Sequence, residues 1–319
     1  MNARPPKKPR DLVDGVLLID KPVGLSSNDA LIKAKRIVNA KKAGHTGTLD
    51  PFATGLLPLC FGEATKFSQD LLEADKTYLA TVHLGIATTT GDTEGETVES
   101  KPVDVTPQQI EAALARFRGP ILQVPPMYSA LKRDGKAYYE YAREGIVLER
   151  EARPVTIHSL EFVSYEAPML VIRVTCSKGT YVRVLGEDIG AALGCGAHLN
   201  ALRRIQVGSL TVDGMVTLEQ LQAHADPLSL LAPVDALLST FPRIDLTGEL
   251  AKRFLNGQRL ALGKEPAVGV PEQQGRVRVY HQDRLLGTAL LGEYAILAPE
   301  RLMAFQNAVP PDVKLSAGS

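Results

Sequence analysis

The sequence predicts an α+β fold: a large mixed, mainly antiparallel sheet flanked by helices, followed by a smaller β-rich unit. Three observations carry this. Residues 76–88 alternate apolar and polar side chains, the signature of a half-buried strand. Strand-like and helix-like segments are interleaved without a regular βαβ rhythm, which argues against a doubly wound parallel sheet. The composition then shifts around residues 239–246, and two apolar runs flank Gln282-Asp283-Arg284 as a hairpin would. A chain of 319 residues suggests about two domains, and 45% hydrophobic with 23% charged residues is ordinary for a protein with a sizeable core. The expected division is a basic disordered arm at 1–12, a main unit at 13–240, a small barrel at 241–306 and a frayed tail at 307–319.

In chain order, residues 15–20 form a short apolar run ending at Lys21-Pro22, a strand leading into a turn. Ser26, Ser27 or Asn28 caps a helix whose Leu31, Ala34, Ile37 and Val38 recur at helical period. On the alternating strand Tyr78, Ala80, Val82, Leu84 and Ile86 share one face, and residues 88–96 read as a polar loop. Thr106-Pro107 starts a helix that runs to about Arg118, with Gly119 as its stop. Residues 123–132 look extended, Asp134-Gly135 is a turn, and residues 137–143 form a short aromatic helix. Strands follow at 155–163 and 169–176, a helix at 181–193, a strand at 201–210 and a short helix at 248–255.

Formal net charge is zero, but its layout is uneven. Residues 1–10 carry Arg4, Lys7, Lys8 and Arg10 and no acid. Between Asp29 and Asp50 there is no acid either, while Lys33, Lys35, Arg36, Lys41 and Lys42 are basic. Such an excess suits either a phosphate backbone or a solvated helix face. Cys60, Cys176 and Cys195 form no CxxC pair, and the six histidines are far apart, so neither a disulfide framework nor a metal site is expected. Nucleotide-binding glycine motifs and the G-x-S-x-G elbow are absent, so no cofactor is expected. No run approaches the ~20 apolar residues of a membrane span, and the expected location is the cytoplasm.

Residues 44–57 stand out. Asp50 lies between glycines and a run of apolar side chains, with Pro51 holding it out of the helical region. An Asp-Pro pair is often a mere turn opener. A carboxylate over Phe52, Leu56, Leu57 and Leu59, however, needs a cation, and Arg183 in the stretch 176–183 is the candidate. If that stretch is extended, Tyr181 and Arg183 share a side. Pairing with Arg183 would lower the Asp50 pKa. Tyr78 is either a packed core tyrosine or a stacking platform for a nucleobase, and His45 a loop histidine or an intercalating ring.

Taken together, GVLLIDKP at 15–22, GHTGTLDP at 44–51, KTY at 76–78, GTYVR at 179–183 and LRR at 202–204 resemble the TruB-type tRNA pseudouridine synthases. The resemblance is dense over residues 13–210, and the C-terminal unit is more weakly similar to that family's PUA-like RNA-binding domain. It implies the pseudouridine synthase fold and isomerisation of uridine 55 in the T-loop of tRNA, with the target base flipped out. It further implies Asp50 as the catalytic residue, Tyr78 stacked on the base, Arg183 as the partner of Asp50, and Tyr181 and Leu202 in the pocket. His45 would enter the T-loop, and Lys21 completes the expected substrate-binding set. No metal, cofactor or obligate protein partner is implied, and a monomer is expected. The alternatives are a guide-dependent enzyme acting on ribosomal RNA, and an RNA-binding or RNA-folding module without catalysis.

Overall fold

The computed structural model describes residues 9–304. Residues 1–8 of the expected arm, and the whole expected tail at 307–319, lie outside the described residues. Residues 9–12 lie against the main unit, where Asp11 bridges to Ala40 and Arg10 donates to the Lys35 carbonyl.

One sheet organises the main unit. Its order is Gly15–Lys21, Thr54–Phe61, Ala197–Val207, Lys76–Leu84, Met169–Cys176, Arg153–Glu166 and Gly119–Gln123, with two short strands paired at its margins. Every neighbouring pair is antiparallel except Thr54–Phe61 with Ala197–Val207, which meet in parallel through Arg203↔Thr54 and Arg204↔Gly55 alone. The sheet therefore consists of two antiparallel halves joined at a short parallel seam. Gly55 is required there: it has φ +97°, and a Cβ would lie 2.3 Å from the Arg204 carbonyl oxygen.

Helices Ser27–Ile37, Pro107–Ala115 and Val182–Ala192 cover one face, over a core that includes Leu17, Ile19, Leu57, Val82, Ile172, Leu185 and Leu199. Ser26 caps the first through the Asp29 N–H, and Thr106 with Gln109 closes a capping box on the second. That second helix stops at Ala115, short of the expected Arg118, whose guanidinium is instead turned to the Leu160 carbonyl. The alternating strand also ends early, at Leu84. Gly85 has φ +88°, and a Cβ there would lie 2.8 Å from the Lys101 carbonyl oxygen; Ile86 then joins a separate two-stranded ribbon. The edge strand Gly119–Gln123 was not expected; it carries Pro120, which an edge position tolerates.

The C-terminal unit is a curled five-stranded sheet, ordered Arg243–Asp245, Gly275–His281, Arg284–Leu291, Ile296–Leu302, Leu260–Ala261. It forms the small barrel-like unit expected, as a curled half-barrel, and packs helix Gly248–Leu255 over its own core of Ile244, Phe254, Val277, Leu286 and Leu297. A third apolar cluster, with Val16, Leu56, Phe67 and Leu238, runs on into Tyr280 and Leu285 of this unit. Arg276 pairs with Asp70 across the same junction, and the Tyr280 hydroxyl meets Asp235.

Candidate active site

Asp50 sits at the seam on a loop fastened from several directions. Ser27, itself buried, accepts from the Leu49 N–H at 2.7 Å and donates to the Leu49 carbonyl at 3.1 Å. The Pro51 carbonyl accepts from the Gly24 N–H at 2.8 Å, and the Asp50 carbonyl closes a turn with the Ala53 N–H at 3.1 Å. Gly47 carries the positive φ the loop needs; Gly44 does not, lying in the short strand Ala43–His45. Leu49 and Phe52 are buried in the main core, while Leu56 points through the opposite face of the sheet.

The cleft beside this loop encloses about 250 Å³ and is lined by Asp50, Tyr78, Tyr181, Arg183 and Leu202, together with Lys76, Arg204 and Ser129. Five of the seven expected site residues thus meet. Tyr78 and Leu202 come from neighbouring central strands. Tyr181 and Arg183 stand at the start of helix Val182–Ala192, where the helix at 181–193 was expected, with Tyr181 in the capping position, so the two do not share a side through an extended stretch. Gln123 holds that helix start, accepting from the Tyr181 N–H and donating to its carbonyl.

Arg183 reaches Asp50 with Nη2 at 3.0 Å. Its other prong, Nη1, lies 3.2 Å from Asp92, a second carboxylate that was read only as part of a polar loop. The Thr90 and Tyr128 carbonyls accept from the same guanidinium at 3.0 and 2.7 Å. Asp92 is further held by the Thr90 hydroxyl and the Glu94 N–H.

The balance at Asp50 differs from the expectation of a lowered pKa. Burial pushes its carboxyl above the ordinary range, Arg183 pulls it down, Asp92 adds to the rise, and Lys21 gives a smaller downward pull. The Asp50 side chain still keeps 37% of its accessible surface, so it is open to the cleft. Burial also raises the Tyr78 and Tyr181 phenols, against Arg204 in the first case and a Ser129 hydrogen bond in the second.

The two remaining expected residues stand elsewhere. Lys21 is fully buried, and its ammonium donates to the Pro22, Leu25 and Pro51 carbonyls, so it braces the loop from beneath and has no open face for substrate. Burial lowers it to about 8. His45, opposite Leu59, lies outside the cleft lining with its Nδ1 unpartnered. Among the described residues no group of three or more His, Cys, Asp or Glu side chains could hold a metal.

The site is thus a loop-borne carboxylate, braced by an arginine and set against a tyrosine on a mixed sheet. Three family models match in succession: the TruB family pseudouridylate synthase N-terminal domain over residues 35–182, the tRNA pseudouridylate synthase B C-terminal domain over 183–239, and the pseudouridine synthase II TruB C-terminal region over 242–303. The chain is 63% identical over 301 residues to tRNA pseudouridine synthase B of Burkholderia mallei, covering 93% of this chain and 96% of that one. It is 61% identical over 307 residues to the Ralstonia nicotianae protein of the same name, with 93% and 96% covered. Among solved structures, a chain of a Cbf5-Nop10-Gar1 complex superposes with a TM-score of 0.71 at 26% identity, covering 91% of this chain and 85% of that one. The chain belongs to the TruB family of pseudouridylate synthases and is therefore an isomerase.

Proposed function

We propose that this enzyme converts uridine to pseudouridine at position 55 in the T-loop of tRNA, with Asp50 as the catalytic carboxylate. The observation that carries the reading is Asp50 itself: open to a cleft with room for one nucleoside, bonded to Arg183, and faced by Tyr78. The reaction breaks the C1′–N1 bond, turns the uracil and joins C1′ to C5. It needs an ionised carboxylate within reach of the sugar or base, and a group to take the C5 proton. Arg183 favours the ionised form of Asp50 against its burial. Tyr78, which lines the same cleft, stacks on the base and takes that proton. A duplex would not enter so narrow a cleft, so the target nucleoside is flipped out, at a cost of a few kcal/mol.

Names of the relatives at 61–63% identity support tRNA as substrate. On this reading the enzyme works as a free-standing monomer in the cytoplasm, unlike the assembly named for the 26%-identical neighbour. The C-terminal half-barrel serves as a PUA-like grip on tRNA away from the reacting loop, and His45 enters the T-loop. The test is to incubate the protein with unmodified tRNA transcript and map pseudouridine, beside Asp50→Asn. The parent should modify position 55 and the variant nothing, with tRNA affinity retained. Modification elsewhere only, or turnover by Asp50→Asn, would overturn the reading.

A further inference from the structure

Arg204 is among the largest fully buried side chains, 1% exposed. Its neighbour Arg203 has a bidentate partner in Asp20, but among the described residues no carboxylate pairs with Arg204. A buried cation without a counter-ion is costly, so its fixed partners show what holds it there. Its Nε donates to the Leu56 carbonyl at 2.8 Å and its Nη2 to the Gly47 carbonyl at 3.1 Å. Those two bonds fasten the Asp50 loop on both sides. They leave further N–H groups of the fork, and these face the Tyr78 phenol, which lies directly opposite Arg204 in the antiparallel pairing and lines the same cleft.

Lys76 is the other buried cation on the Tyr78 strand, but its ammonium is directed to the Leu71, Leu72 and Ala74 carbonyls at the end of helix Ser68–Glu73. The remaining groups facing Tyr78 are Asp50 and Cys176. Burial keeps Cys176 a neutral thiol, its pKa pushed up to about 11. Arg204 is therefore the one cation aimed at this phenol among the described residues.

We propose that Arg204 is a positioning residue which holds the Tyr78 phenol oxygen as the proton acceptor at C5 of the base, while clamping the Asp50 loop to the same guanidinium. The inference rests on the reaction proposed above. In that step the tyrosine hydroxyl first releases its own proton to water, and the guanidinium stabilises the phenolate. The C5–H bond then breaks and its proton passes to the phenolate oxygen; its electron pair forms the C5–C6 double bond, the C6–N1 π pair moves onto N1, and N1 takes a proton from water.

The experiment is single-turnover pseudouridine formation on tRNA transcripts carrying hydrogen or deuterium at C5 of the target uridine, with parent, Arg204→Lys and Arg204→Gln proteins. The rate should fall roughly 10²-fold or more in Arg204→Gln and less in Arg204→Lys. The deuterium effect should grow in the same order, because proton removal becomes the slow step. That effect is a ratio of rates, so a smaller folded fraction does not change it. Replacing Tyr78 by a more acidic fluorotyrosine should restore rate to Arg204→Lys but not to Arg183→Lys. Slower variants with an unchanged isotope effect, or an Arg204→Lys protein that does not fold, would make Arg204 a structural brace only and overturn the inference. A parent that makes no pseudouridine would instead overturn the functional reading on which it rests.

Discussion

Arg183 Nη1 stands 3.2 Å from Asp92 Oδ2, with the two side chains 5% and 2% exposed, whereas Asp50 at the other prong keeps 37% of its surface. One guanidinium thus has a sealed inner carboxylate that fixes it and an outer one that meets the cleft. The planar fork makes both contacts without changing rotamer, a division a lysine cannot copy.

Replacing Arg183 should therefore separate charge from geometry. Arg183→Lys keeps a cation but loses one prong, and Arg183→Met strands Asp92 in the interior. Breaking a buried pair in this way costs ~3–5 kcal/mol of stability. Activity should fall in the order Arg, Lys, Met. Because Arg183 opposes the upward push on Asp50, the acid limb of the single-turnover pH–rate profile should move to higher pH in that order. Equal rates for parent and Arg183→Met at every pH would contradict the pairing.

Asp92→Asn should move the same limb the other way. Asp92 raises Asp50 by like-charge repulsion, and asparagine removes the charge while keeping an acceptor for Thr90 and Glu94. The limb should shift to lower pH, with a moderate loss of rate because the guanidinium has lost its inner anchor. An upward shift would mean that Asp92 acts chiefly by orienting Arg183.

Asp50→Asn should melt at a higher temperature than the parent at neutral pH. The folded-state carboxyl titrates above 3.8, its ordinary value, so the folded chain holds its proton to higher pH than the unfolded chain does. Parent stability consequently falls as pH rises through the interval between the two, and asparagine is exempt from that loss. Thermal melts across pH check this: the gap between the proteins should close below the ordinary Asp value. A variant less stable at neutral pH would show that the bond to Arg183 outweighs burial.

A chain ending near Ser239 should retain its cleft but bind tRNA more weakly and with a shallower salt dependence. It should also melt lower, because Tyr280 and Leu285 complete an apolar cluster shared with Val16 and Leu56, and the Arg276–Asp70 pair is lost. Isothermal titration and melting curves measure the two effects. Unchanged affinity would give the C-terminal unit some other role.

The loop at 44–57 was legible because its chemistry is contiguous: glycine turns, a proline after the aspartate and apolar anchors follow one another. Arg183 could be matched to it by charge need alone. Asp92 could not, because its polar, Gly-containing surroundings read as an exposed loop; its burial depends on an arginine 91 positions further along folding over it. The only signal was that an arginine fork has two prongs and one carboxylate had been assigned. Arg204 was hidden for a similar reason, since an arginine satisfied by backbone carbonyls leaves no partner to find in sequence. Lys21 was placed with the substrate contacts by its motif, although a lysine before proline and next to a tight turn can equally bind carbonyls of that turn. The direction at Asp50 was misjudged because the competition between a dry floor and a cation is decided by depth, which sequence does not state.

The two-pair parallel seam also sets when the chain becomes active. Thr54 and Gly55 meet Arg203 and Arg204, and the Arg204–Leu56 bond spans 148 positions. Closing so long a loop is entropically slow and must wait for the intervening strands to assemble. During synthesis the aspartate emerges early, but its loop stays unfastened until the last long strand of the sheet has left the ribosome. With Asp50 as the catalytic carboxylate proposed above, competence arrives late, and a nascent chain that has already made Asp50 should be inert toward RNA it meets.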